Sequence, residues 1–566
     1  MSITENCQKL KSNLDEAIGW ASSNKDIHEG DKEHLIRSLG LARVEAERLV
    51  TASRAPMSAG VYGQSQVGKS YMVSMLGRPQ GEDSLYARLG NETVNFIEDI
   101  NPSGDKESTG VVTRFTILED GHQPLPGYPV QIKLLTQHDL IRILIDTYFH
   151  DSGHNESKPL KPEDVEEAFE KVGEQQILES GAVSANSSAP YNRIEAYELS
   201  TYVSGKYSGK ISINVLSTVS YWDRFIEIAP GLDIEKRAIL LSLLWGNIEQ
   251  FTGLFLQLYD VLAKLQFAES VYASADALLP REAGITDVAT LYWMLSGGSD
   301  SVKSVNTGQS VSVSREIGLK VGAIEISVPR GKVSALTSKL VILCEKKAWK
   351  FQDTTDVLDF PGARARLADE TPDAEESMRV KPEGLVDFFL RGKVSYLFEK
   401  YCNSYELNFL LLMIKPGNQE VKVITPTVET WIKKLQGETP EERGSQQACT
   451  LFFIIARCDE LFTEKSGEKR IDGKVKTAVE TALLTPFAGA DRLGWVDKWD
   501  THNPFRNAYF FRNAQVKAHS LYDFSKNSEG VDIEVGLRNP KTLEEVKTNF
   551  LSDKAVNRYF KAPGDA

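Results

Sequence analysis

The chain has 566 residues and a formal net charge of −14, with 41% hydrophobic and 25% charged residues. This length predicts roughly two to four domains, and the acidic balance argues against extended nucleic-acid binding, so we expect no nucleic-acid partner. The five cysteines are odd in number and have no C-x-x-C spacing. This excludes a disulfide framework or a cysteine zinc site and predicts reduced thiols in a cytoplasmic protein.

The first segment, residues 1–55, predicts a helical hairpin. It carries no apolar core after a basic start, which excludes a secretory signal. Apolar residues recur at helical spacing in two stretches that are separated by a polar junction containing Gly30. The spacing Ser2-x-x-Glu5 is that of a capping box at the start of the first helix.

The stretch GVYGQSQVGKSYMVSML (60–76) has the spacing of a phosphate-binding loop. Gly63 and Gly68 would let backbone amides turn towards phosphate oxygens at the start of a helix. Lys69 would reach the β- and γ-phosphates, and Ser70 would coordinate Mg²⁺. A short apolar run before the loop predicts a strand, and the residues after it predict a helix ending near Gly77. The alternative is a purely structural glycine turn.

Strands are predicted at 111–118 and 130–136, so residues 56–136 form the first part of a nucleotide-binding domain. Thr113, in the stretch GVVTRF, would supply a second hydroxyl to the magnesium ion from a segment that orders around a γ-phosphate. The alternative is an exposed strand threonine without such a role.

A large insertion is predicted from 137 to 335. Its pattern is mostly helical, with a hairpin of strands in the alternating polar stretch 295–314. The most apolar run of the chain, 238–262, is interrupted by polar residues and predicts a buried helix rather than a membrane span. The sequence leaves shallow membrane contact open.

The nucleotide-binding domain resumes over 336–525. Strand patterns return at 340–345 and 357–360, and continuous apolar runs follow at 408–414 and 450–456. Such runs are typical of strands that helices cover on both faces. We therefore predict an α/β fold with a mostly parallel central sheet. Residues 526–566 are predicted to be a C-terminal tail.

Two strand ends add candidate site residues. In VLDFPG, Asp359 would hold the magnesium ion through a water molecule, and the Gly362 amide would sense the γ-phosphate. In FFIIARCDELF, Asp459 would accept both N–H groups of guanine while Arg457 packs over the base. The alternatives are a strand-ending turn and a helix N-cap, respectively.

The order of these four motifs resembles that of the dynamin-like large GTPases, which carry a similar V-T-R and D-x-P-G. More closely, the chain resembles the putative bacterial virulence factor (SrfC-like) family. The resemblance is carried by PMSAGVYGQSQVGKSYMVSML, INPSGDKESTGVVTRFT, YWDRFIEIAPGL, GITDVATLYWML and DVLDFPGARAR. It implies a P-loop NTPase that is often encoded with partner proteins. Because family members often continue further, we expect the tail to begin a further region.

The chain departs from the dynamin pattern in two places. The usual Thr/Asn-Lys-x-Asp reads Ala456-Arg457-Cys458-Asp459, which leaves ATP open beside GTP. The Gln-Ser pair that orients water in dynamins appears in reverse order as Ser65 and Gln66. These two residues, with Lys69 and Thr113, are the predicted catalytic set. Asn513 is the counterpart of the segment that contacts the base after the last strand.

We therefore expect a Mg²⁺-dependent GTPase that acts as a switch in a bacterial multi-protein system. Self-association or operon-encoded proteins are the expected partners. The alternatives are an ATPase and a nucleotide-gated scaffold with little turnover.

Overall fold

The structure is a computed structural model. It describes residues 2–82, 84–101, 109–117, 125–151, 159–180, 191–304, 308–363, 382–417, 421–462, 471–488, 493–512, 517–519, 521–526, 532–538 and 540–561. Asn513 lies outside these described residues.

The strands are, in chain order, β1 (Met57–Gly63), β2 (Tyr86–Leu89), β3 (Glu92–Asn95), β4 (Val112–Thr116), β5 (Val130–Leu134), β6 (Ser270–Ala273), β7 (Ser301–Lys303), β8 (Ser310–Ser312), β9 (Glu316–Val321), β10 (Ile324–Pro329), β11 (Thr337–Leu343), β12 (Thr355–Asp359), β13 (Phe409–Ile414), β14 (Leu451–Ile455), β15 (Ala508–Phe510), β16 (Tyr522–Lys526) and β17 (Asp532–Leu537).

The α-helices are α1 (Ile3–Ser23), α2 (Glu29–Arg54), α3 (Lys69–Gly77), α4 (Gln137–Asp151), α5 (Pro162–Val172), α6 (Glu174–Ser180), α7 (Arg193–Lys206), α8 (Ile211–Thr218), α9 (Tyr221–Ile228), α10 (Ile234–Ser242), α11 (Glu249–Lys264), α12 (Val288–Ser296), α13 (Arg330–Leu336), α14 (Pro382–Asn403), α15 (Val421–Leu435), α16 (Pro440–Gly444), α17 (Ile471–Val479), α18 (Thr485–Phe487), α19 (Pro540–Ser552) and α20 (Lys554–Asn557).

An 11-stranded sheet in the order β10-β9-β6-β5-β11-β4-β12-β1-β13-β14-β15 is the centre of this mixed α/β fold. From β11 to β15 it is mostly parallel, and the pairing of β4 with β12 is the antiparallel exception. This part confirms the predicted mostly parallel sheet. The pairs from β10 to β11 are all antiparallel.

The predicted helical insertion also contributes to the sheet, which the sequence did not indicate. Its strands β6, β9 and β10 extend the antiparallel side through β5. The predicted hairpin at 295–314 is confirmed as β7 and β8. The most apolar run is not one helix, because Gly246 takes a left-handed conformation and separates α10 from α11.

The N-terminal hairpin is confirmed as α1 and α2, and Ser2 and Glu5 form the predicted capping box. Among the helices of the described residues, none combines the length and the apolar character that a bilayer crossing requires.

The order of the strands predicts a crevice at the carboxyl ends of the central strands. After β1 the chain builds β4 and β12 on one side, then returns to build β13, β14 and β15 on the other side. Neighbouring parallel strands whose connections diverge in this way leave a crevice outside their carboxyl ends, where ligands of α/β proteins bind. Here that crevice lies beyond the ends of β1 and β13.

Candidate functional site

The loop Gly63–Ser70 joins β1 to α3 at this crevice. Gly63 lies so close to β13 that a Cβ atom there would be 2.1 Å from the Met413 carbonyl oxygen. Gly68, the residue before α3, has φ 98° and takes the left-handed conformation that favours glycine. Close packing at Gly63 and the left-handed conformation at Gly68 therefore favour glycine at both positions of the predicted loop. Gln66 is also left-handed, with φ 59°.

Hydrogen bonds tie the loop to both neighbouring strand ends. The Ala363 amide donates to the Gly63 carbonyl at 3.0 Å, and the Lys415 amide donates to Gln64 Oε1 at 3.1 Å. Lys69 is buried, and its ammonium donates to the Gln64 carbonyl at 2.8 Å. The Lys69 side chain thus curls back over the loop, as a lysine that cradles phosphate would. Gly362, the predicted γ-phosphate sensor, precedes the anchored Ala363.

Ser70 and Asp359, the first two predicted magnesium ligands, lie side by side. Ser70 Oγ donates to Asp359 Oδ2 at 2.9 Å. Asn101 Nδ2 donates to Ser70 Oγ at 2.7 Å and to Asp359 Oδ2 at 3.3 Å. Thr113 is the antiparallel partner of Asp359 in the register of β4 and β12, and it is buried. The structure thus brings Ser70 and Asp359 into contact and places Thr113 opposite Asp359 within a strand.

This set of groups suits a small hard cation. Hydroxyl and carboxylate oxygens are the ligands that Mg²⁺ takes from proteins, together with substrate phosphates and water. Among the described residues, no group of three or more His, Cys, Asp or Glu side chains is arranged to hold a metal. A cation here would therefore depend on Ser70, Asp359 and Thr113 together with oxygens from phosphate.

The predicted base-recognition residue Asp459 lies just after β14, and it is 1% exposed. Arg512 Nε donates to Asp459 Oδ1 at 2.8 Å, and Arg512 Nη1 donates to Glu534 Oε1 at 3.1 Å. The guanidinium lies 3.8 Å from the ring centre of Tyr522. Because Glu534 and Tyr522 belong to β17 and β16, the hairpin of these two strands reaches the predicted base end.

Arg457 lies beside this pair and takes a left-handed conformation with φ 56°. Its Nε is 2.7 Å from Glu460 Oε1, and Lys415 Nζ is 3.2 Å from Glu460 Oε2. The Lys415 amide also donates to Gln64 Oε1. A continuous set of contacts therefore joins the loop Gly63–Ser70 to the residues around Asp459.

Arg114, the arginine of the V-T-R motif, points to the opposite end of the sheet. Its Nε donates to Asp356 Oδ2 at 2.6 Å, and its Nη2 donates to the Pro56 carbonyl at 3.0 Å. Glu406 completes this buried cluster. Burial raises the pKa of Glu406, but Lys339 and Arg114 outweigh this effect and bring it to about 2. Arg114 therefore stabilises the sheet and does not reach the loop.

Sequence reasoning missed three residues that the structure places at the site: Asn101, Tyr522 and Glu534. Asn101 is the second residue of INPSGD. The sequence there indicated only a glycine-rich stretch before Thr113 and no role for the asparagine. The other two residues come from the C-terminal hairpin, and no local pattern connects them with a loop hundreds of positions earlier.

Comparisons with known proteins identify a family. No curated protein matches the chain. The model of one family, described as putative bacterial virulence factor, matches residues 17–566. This match extends over the loop, the strand ends and the C-terminal hairpin alike. The chain therefore belongs to the putative bacterial virulence factor family.

Proposed function

We propose that this protein binds and hydrolyses a nucleoside triphosphate with Mg²⁺, with GTP as the preferred substrate, as an SrfC-like relative of the dynamin-like GTPases. The observation that carries the proposal is the contact of Ser70 with Asp359 at 2.9 Å beside a loop of phosphate-binding sequence. The loop, its following helix and the metal residues meet at the crevice where the strand order diverges.

The phosphate end would work through the loop backbone. Amides between Gly63 and Ser70, with the N-terminus of α3, would surround the β- and γ-phosphates. Lys69 would leave the Gln64 carbonyl and donate to the phosphate oxygens instead. Bound Mg²⁺ would neutralise charge on those oxygens, held by Ser70, Asp359 and Thr113.

Hydrolysis would need positioning rather than covalent chemistry. A water oxygen attacks the γ-phosphorus while the bond from that phosphorus to the bridging oxygen breaks. Gln66 or Ser65 would orient this water, and the Gly362 amide would contact the γ-phosphate. Loss of the contact between Gly362 and the γ-phosphate would be transmitted towards α14 through Ala363, whose amide donates to the Gly63 carbonyl.

The base end favours GTP over ATP for a chemical reason. Guanine presents two neighbouring N–H donors, and the two carboxylate oxygens of Asp459 would receive them once Arg512 releases Oδ1. Adenine lacks this pair, so Asp459 would gain nothing from it. Arg457 would pack over the base plane.

A nucleotide-gated scaffold with little turnover is the second candidate. It is favoured by the ion pairs that join α14, which follows Asp359 in the chain, to the insertion. Lys400 of α14 binds Asp139 of α4 at 2.6 Å, and Glu399 binds Lys206 of α7 at 2.6 Å. Such ion pairs between helices suit the transmission of a conformational change to a partner protein or to a second copy. In either case we propose a cytoplasmic protein.

Phosphate release separates these candidates. Inorganic phosphate is measured with GTP and with ATP over a range of protein concentrations, for the wild type and for Lys69→Ala. The GTPase proposal predicts release from GTP in preference to ATP, dependent on Mg²⁺ and abolished in K69A. Nucleotide binding without release favours the scaffold, and equal release by K69A would contradict the proposed site.

A further inference from the structure

Asn101 occupies an unusual position between the two residues proposed to bind magnesium. It is 5% exposed, and its amide nitrogen is directed at both Ser70 Oγ and Asp359 Oδ2. The hydroxyl hydrogen of Ser70 is already used towards Asp359. The group that faces Ser70 Oγ must therefore be a donor, which fixes the nitrogen of the amide on this side.

These contacts occupy lone pairs of Asp359 Oδ2 and Ser70 Oγ, two oxygens of the proposed cation site. An sp² carboxylate oxygen has two acceptor positions. At Asp359 Oδ2 they receive Ser70 Oγ and Asn101 Nδ2. At Ser70 Oγ, one of the two lone pairs receives the same amide. The amide thus presents positive hydrogens to the oxygens that Mg²⁺ would contact.

The backbone holds Asn101 in this place. The Asn101 amide N–H donates to the Phe96 carbonyl at 2.8 Å and closes the π-helical turn Phe96–Ile100. Asn95 caps the start of that turn through its side chain.

We propose that Asn101 is a placeholder for the cation: its amide holds Ser70 and Asp359 in the metal-free protein and must release them when Mg²⁺ binds. This inference rests on the proposed nucleotide site. It makes Asn101 a positioning residue that lowers the affinity for Mg²⁺.

The test is a Mg²⁺ titration of the complex with a fluorescent GTP analogue, in which the rate of nucleotide dissociation reports the bound metal. In Asn101→Ala, the metal-free state loses two hydrogen bonds that the metal-bound state does not use. We expect the half-saturating Mg²⁺ concentration to fall by about three- to tenfold. Asn101→Asp should show a fall of at least this size, because a carboxylate cannot donate and adds a ligand charge.

Asn192→Ala is the matched control, since it removes an asparagine cap from the start of α7 without touching Ser70, Asp359 or the turn that holds Asn101. An unchanged half-saturating concentration in N192A, with the fall in N101A, supports the placeholder. An unchanged or raised concentration in both Asn101 variants overturns the inference and leaves the proposed function in place. Failure of the wild type to bind the analogue with or without Mg²⁺ would overturn the proposed function itself.

Discussion

Gly63 shows how closely the site depends on single residues. The loop can start only where the backbone of β1 passes within contact distance of β13, and a glycine is the residue that permits this approach. The sequence pattern predicts that this glycine lets the loop turn around phosphate. The structure adds a second reason, which is packing between neighbouring strands.

Gly63→Ala should therefore destabilise the fold as well as the loop. A Cβ atom 2.1 Å from the Met413 carbonyl oxygen forces the two strands apart. We expect a loss of about 1–3 kcal/mol in the free energy of unfolding, measured by urea denaturation. Gly253→Ala in α11 is the control, because a Cβ atom there meets no neighbour within 4 Å. An equal loss in both variants would show that Gly63 is not a packing constraint.

Under the proposed function, Asp459 is the residue that would decide base preference. Asp459→Asn replaces one acceptor oxygen with a donor, which matches xanthine better than guanine, because xanthine carries a carbonyl where guanine carries its amino group. We expect D459N to lose GTP affinity by at least about tenfold and to bind XTP more tightly than GTP. Competition with a fluorescent nucleotide measures both values. Unchanged relative affinities for GTP and XTP would contradict the assigned role.

At the scale of elements, α14 packs closely against the insertion. A Cβ atom at Gly392 of α14 would lie 2.0 Å from Thr147 Oγ1 of α4, so the two helices are in close contact. Lys393, one residue further, is fully buried and donates to the Ser334 carbonyl at 2.9 Å. Burial lowers its pKa from 10.5 to about 7.

Lys393→Met should stabilise the protein in a pH-dependent way. Because the pKa of Lys393 is lower in the folded protein, the unfolded chain binds more protons between about pH 7 and 10.5. The wild type therefore gains stability as pH rises through this range and loses it as pH falls. We expect K393M to raise the melting temperature clearly at pH 6 and little at pH 10. Lys433→Met, at an exposed position, is the control, and equal shifts at both pH values would contradict the prediction.

The types of these elements were largely predictable from sequence, but their partners were not. Continuous apolar runs indicated β13 and β14 correctly because both faces of these strands are covered by helices. The strand β6 has only four residues, and β9 and β10 are partly exposed, so their patterns did not show that they join the central sheet. In the same way, the loop motif indicated Ser70, whereas the contact of Asn101 depends on a turn that only the folded chain defines.

At the scale of the whole molecule, the described contacts form a path from α14 through α4 and α7 to the N-terminal hairpin. Asp139 of α4 accepts from Lys400 at 2.6 Å and from the Tyr396 hydroxyl at 2.5 Å, both on α14. Burial raises the pKa of Asp139, but Lys400 and the hydrogen bonds outweigh it and bring the pKa to about 2. In turn, Arg142 of α4 binds Glu198 at 3.0 Å, and Glu198 pairs with Arg48 of α2.

Asp139→Asn should interrupt this path. Lys400 would lose its charged partner while its position on α14 stays the same. We expect a GTP analogue with Mg²⁺ to slow amide hydrogen exchange in both α14 and α4 of the wild type, and in α14 alone in D139N. Glu167→Gln, which removes an exposed pair with Lys171 on α5, is the control. Protection of α4 in D139N equal to that in the wild type would show that the coupling runs elsewhere.

Calorimetric titration of a non-hydrolysable GTP analogue with Mg²⁺ into the wild type and Lys69→Ala tests the central claim most directly. The account predicts one binding site per chain in the wild type, weaker binding of the ATP analogue, and no measurable binding in K69A. Absence of binding by either nucleotide, or the same affinity in K69A as in the wild type, would contradict it.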